Sequence, residues 1–133
     1  MVERRVQINN EADVMRITIL TRKMLESHCK QSEYMLISTV TSELATNLVR
    51  YARGGFIHLR FDPSVRQMSI ESSDQGPGIE NIEQAMQEGY SGGKGLGVGL
   101  PAVQRIMDEM HIENRVDGGL RVQAQCKLKT SHR

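Results

Sequence analysis

The chain has 133 residues and 38% apolar content, a size near the commonest single domain and enough apolar matter for one core. Its formal net charge is +1 with both signs spread along the sequence, so no basic stripe calls for a nucleic-acid backbone. The two cysteines lie far apart without CxxC spacing, the four histidines show no ligand pattern, and no run reaches the roughly 18 apolar residues of a membrane span. The opening MVERRVQI also lacks an apolar h-region, so the expectation is a cytoplasmic protein with neither membrane nor nucleic acid as partner.

In chain order, RRVQI reads as a short strand, and Asn10 with Asp13 marks the start of a helix running toward His28. Val14, Ile17, Leu20, Thr21 and Met24 supply its stripe at helical spacing. Ser32 is positioned to cap a second helix that continues to about Arg53, where Gly54 and Gly55 stop it. The expected buried face of that helix is Leu36, Ile37, Val40, Leu44, Leu48 and Val49. FIHLRF and QMSIES follow as strands joined through Asp62-Pro63-Ser64. A glycine-rich region then carries a short helix near residues 80 to 88 and a longer one near Leu100 to Met110. The end is a hairpin about Asp117-Gly118-Gly119. The order β-α-α-β-β-α-α-β-β predicts an α+β fold, helices on one face of a mixed, largely antiparallel sheet, in one domain over residues 1–133.

Most of the 12 glycines fall between Gly76 and Gly99, and glycine inside a regular element costs about 0.5–1 kcal/mol relative to alanine. Such a density needs a conformational or functional return. A Walker A loop fails, because Gly93-Lys94 is followed by Gly95 and position 88 is Glu88. The dinucleotide fingerprint fails as well, since Gly97-x-Gly99 runs into Leu100, Pro101 and Ala102. What stands is D-x-G-x-G at Asp74, Gly76 and Gly78, then G-x-G-x-G at Gly95, Gly97 and Gly99 entering a helix. Backbone amides in such a loop, ahead of a helix start, make an anion cradle. On the second predicted helix, Glu43 and Asn47 are four apart and rise from one face. A carboxylate and a carboxamide there can orient a nucleophile and hold magnesium, which prefers oxygen ligands.

At these residues the sequence resembles the GHKL ATPases, the family of gyrase, MutL and the histidine kinases. Glu43-x-x-x-Asn47 looks like its N box, Asp74-x-Gly76-x-Gly78 like its first glycine box, and Gly95-Leu96-Gly97-Val98-Gly99-Leu100 like its second. From RVQI through SELATNLVRYA to GGLRVQA, nearly the whole chain is similar to the RsbT-type serine/threonine switch kinases of the bacterial stressosome. The resemblance implies a Bergerat fold, a two-layer α/β sandwich that binds ATP with magnesium beneath a lid. Asp74 would accept from the adenine amino group, with Gly76 and Gly78 admitting the base. Asn47 would ligate magnesium and Glu43 would act on the attacking hydroxyl. Residues 95–99 would wrap the phosphates with the Leu100 helix behind them, helped by Arg50 and Lys94, and residues 79–94 would form the lid. Relatives commonly carry threonine after the Gly-Gly pair where this chain has Leu120, a departure that bears on a secondary polar contact near adenine and leaves the Asp74 contact implied by the resemblance intact.

The implied activity is phosphorylation of STAS-domain stressosome proteins, which frees the kinase to activate a downstream phosphatase or other signalling enzyme. An anti-sigma factor that sequesters a sigma factor is the alternative within the same superfamily. A third reading, nucleotide binding without catalysis, is opposed by the retained Glu43.

Overall fold

The computed structural model describes residues 1–78, 82–86 and 99–132. The elements are β1 (Val2–Ile8), α1 (Glu11–Leu25), α2 (Gln31–Tyr51), β2 (Gly55–Asp62), β3 (Gln67–Ser73), α3 (Ile82–Ala85), α4 (Leu100–Ile106), β4 (Glu109–Asn114) and β5 (Leu120–Lys127). Among the described residues no helix is long and apolar enough to cross a membrane.

The five strands form one sheet in the order β1-β2-β3-β5-β4. Every pairing is antiparallel, so the largely antiparallel sheet expected from the sequence has no parallel pair among the described strands. Alternation in β2, β3 and β5 buries Ile57, Leu59, Phe61, Met68, Ile70, Val122 and Ala124 on one face, where α1 and α2 lie. The other face carries polar partners in register, such as His58 opposite Glu71 and Glu71 opposite Gln123.

Helix α1 starts as the sequence predicts. The Asn10 side chain accepts from Asp13 N at 3.0 Å, and the Asp13 carboxylate accepts in return from the amides of Asn9 and Asn10. Those amides and the adjacent Arg16 lower the Asp13 pKa, which keeps the cap ionised. Helix α2 begins without a side-chain cap: its N-cap is Lys30, so Ser32 is already inside the helix. It ends where Arg53 and Gly54 take left-handed φ of 60° and 104°, with Gly54 N donating back to Leu48 O at 2.7 Å.

Ile37, Val40, Leu44 and Leu48 face the core, whereas Leu36 is 54% exposed and does not belong to the buried face expected for it. It lies about 100° around the helix from Ile37, a turn that carries it off the packed stripe. Truncating Leu44, which is fully enclosed, is worth about 2–5 kcal/mol. Helix α4 also ends earlier than the expected Met110. Met107 is extended at ψ 156° and Asp108 N donates to Gln125 O at 3.0 Å, so pairing with β5 claims the segment as strand.

Candidate active site

Helix α2 spans the site along its length. At one level Glu43, half-buried, reaches Gly99 at the start of α4, where a Cβ would overlap Glu43 Oε2. Nine residues further on, about 13.5 Å along the axis, Ala52 packs against the loop after β3. A Cβ on Gly76 would stand 3.0 Å from Ala52 Cα. Between these levels, one turn after Glu43, Asn47 is buried and has an interaction partner. Arg50 is exposed. About two and a half turns of helix therefore separate Gly99 from Gly76.

Asp74 closes the far level. It leaves the end of β3 nearly buried, at 5% exposure. Its backbone pairs with β5, Asp74 N donating to Leu120 O at 3.1 Å. Its Oδ1 accepts from Gly76 N at 2.7 Å and from Leu120 N at 3.3 Å. Among the described residues both bonds to the carboxylate fall on this one oxygen, so the chemistry left to Oδ2 is that of an acceptor. Burial raises the Asp74 pKa, and the two amides and the Arg115 charge oppose the rise.

The remaining glycine of the first motif, Gly78, has φ +74°, and a Cβ there would run into the Asn114 side chain. Leu100 is buried behind Gly99 at the head of α4. Lys94, Gly95, Leu96, Gly97 and Val98, with the lid segment apart from residues 82–86, lie outside the described residues. A cleft of about 950 Å³ opens beside the Asp74 loop, lined in part by Tyr51, Ala52, Arg53, Asp74, Gly76 and Arg115. Among the described residues no group of three or more His, Cys, Asp or Glu could hold a metal ion.

Sequence reasoning placed only Leu120 of the β4–β5 hairpin near this site and missed Gly119 and Arg115. Gly119, read there only as hairpin chemistry, has φ +92°, and a Cβ would overlap Asp74 O and stand 2.7 Å from Gln75 Cα. Arg115 Nη1 donates to the same carbonyl at 3.0 Å. The Gly-Gly pair was the available signal for Gly119; none marked Arg115, which acts across 41 positions. The Leu120 backbone supplies both a donor and an acceptor to Asp74 where a threonine hydroxyl was missing.

Comparison with known proteins gives this geometry its context. Residues 9–126 match the family model described as the histidine kinase-like ATPase domain. The serine/threonine-protein kinase RsbT of Bacillus subtilis (strain 168) is 41% identical over 90 residues, 66% of this chain and 68% of that one. An anti-sigma F factor of Clostridium novyi (strain NT) is 29% identical over 101 residues, 71% of each. The nucleotide-free catalytic domain of histidine kinase ThkA superposes with a TM-score of 0.57 at 15% identity, covering 96% of this chain and 97% of that one, a likeness of fold. With the family model running through nearly all of the sheet and helices that build the site, the chain belongs to the histidine kinase-like ATPase domain family.

Proposed function

We propose that this chain is an ATP-dependent serine/threonine protein kinase, one unit over residues 1–133, that phosphorylates STAS-domain proteins of a stressosome in the cytoplasm. Once its partner is phosphorylated, the kinase is released to act on a downstream phosphatase or other signalling enzyme. The observation that carries the reading is the length of α2 between Glu43 at Gly99 and Ala52 at Gly76. It sets a carboxylate at one end of the site and the base-side acceptor Asp74 at the other.

In this reading Asp74 accepts from the adenine amino group, and Gly76 and Gly78 leave room for the base. Asn47 supplies an oxygen to magnesium, which neutralises phosphate charge when bound. Arg50, Lys94 and residues 95–100 contact the phosphates. Glu43 orients the hydroxyl of the partner's serine or threonine and accepts its proton as the new O–P bond forms and ADP leaves.

Labelled-phosphate transfer from ATP to a STAS protein encoded nearby tests this directly, with Glu43→Gln as the control variant. That variant is expected to bind Mg-ATP and the partner yet transfer about 10²–10⁴ more slowly. Transfer at the parent rate removes Glu43 as the base. Failure of the parent to phosphorylate any STAS partner favours the second reading, sequestration of a sigma factor, which the similarity to an anti-sigma F factor supports.

A further inference from the structure

We propose that Arg115 is a positioning residue for base recognition, folding back from the β4–β5 turn to hold the Asp74 peptide so that the carboxylate presents one oxygen to the nucleobase. The inference rests on the reading of Asp74 as the base acceptor and adds a residue that none of the nucleotide motifs contains.

Asp74 sits where β3 gives way to an irregular loop, a place where a peptide is free to rotate unless something holds it. Three backbone contacts and one side chain do so. Leu120 brackets Asp74 with its amide and carbonyl, and Gly76 N turns back onto Oδ1. The side chain is Arg115, the only one among the described residues that hydrogen-bonds Asp74.

Arg115 is itself held at both ends. Its amide donates to Gly119 O at 2.9 Å, its carbonyl accepts from Gly118 N at 3.1 Å, and Nη2 pairs with Asp117 at 3.2 Å. The tight Arg115–Gly119 turn thus aims the guanidinium, and the absence of a Cβ on Gly119 lets the turn lie directly on the Asp74 peptide. Arg115 and Asp74 both line the cleft beside the loop. The positive charge of Arg115 opposes the rise that burial imposes on the Asp74 pKa, favouring the ionised acceptor.

The test is calorimetric titration of the full chain with Mg-ATP and Mg-GTP, alongside thermal unfolding of each variant. Arg115→Ala is expected to weaken Mg-ATP binding about tenfold, the loss of one charge-assisted hydrogen bond, and to bring the ATP-to-GTP preference toward one. Arg115→Lys should recover part of that preference, because an ammonium restores charge without the planar fork. Should Arg115→Ala unfold, Arg115→Gln keeps a donor of similar reach and should show an intermediate loss of preference. A folded variant with the parent's affinity and the parent's ATP-to-GTP ratio overturns the inference alone. A parent that binds no adenine nucleotide overturns the kinase reading and this inference with it.

Discussion

Gly99 is packed so closely on Glu43 that a Cβ there would overlap Oε2 and lie 3.3 Å from the Glu43 Cβ. The second glycine motif therefore reserves space for the carboxylate of the N-box helix as well as ending in the turn that starts α4. Its φ of +84° makes any L side chain strained, by roughly 1–2 kcal/mol. Because the nearest atom is the free end of a flexible side chain, Gly99→Ala should push the Glu43 carboxylate aside rather than unfold the sheet. Expected is a modest fall in melting temperature with a loss of phosphate transfer of about 10²-fold, the scale of a misplaced catalytic group. Equal transfer rates in the labelled-phosphate assay would separate Gly99 from Glu43.

Asn47 is buried on the core side of α2, where an amide is kept only if it is hydrogen-bonded or holds a ligand. If it ligates magnesium, Asn47→Ala weakens ATP binding and makes the residual binding nearly insensitive to magnesium. Calorimetry with and without magnesium decides this; an unchanged magnesium dependence assigns Asn47 a structural role only.

Asp74 offers an acceptor, which suits the adenine amino group and leaves a buried carboxylate facing a carbonyl when guanine is bound. An unmatched charged group costs at least about 2 kcal/mol, so ATP should outcompete GTP by roughly thirtyfold. Equal competition in a binding titration rules this out.

The same carboxylate should cost stability at neutral pH. Burial, the largest cause, raises the Asp74 pKa above its ordinary value, so the folded state takes up a proton more readily than the unfolded chain. Stability from Asp74 is therefore present at low pH and lost as pH rises through the folded-state pKa. Asp74→Asn keeps an oxygen for the Gly76 and Leu120 amides and removes the charge. Its melting temperature should exceed the parent's at pH 7, with the gap closing toward pH 4, while adenine binding is lost. A parent more stable than the variant at pH 7 contradicts the sign.

Much of the fold was legible because it is decided within a few residues. The Asn10–Asp13 capping box, the period-two alternation of β2, β3 and β5, and the Gly118-Gly119 turn all act over distances a local pattern can express. The motifs around Glu43, Asn47 and Asp74 were readable for the same reason, since one turn of helix or one loop holds each. Three features depended on packing. Leu36 faces outward although it is as apolar as Ile37, because the direction in which α2 docks selects one stripe among adjacent apolar residues. Helix α4 stops at Ile106 because β5 offers Asp108 a strand partner, an alternative that appears only once the sheet exists. The contacts of Arg115 with Asp74 and of Gly99 with Glu43 join segments far apart in the chain. Residue type and spacing determined which groups could do chemistry; the antiparallel sheet and the docking of α2 and α4 decided which of them meet, since only closure of the core brings distant backbones within hydrogen-bond reach.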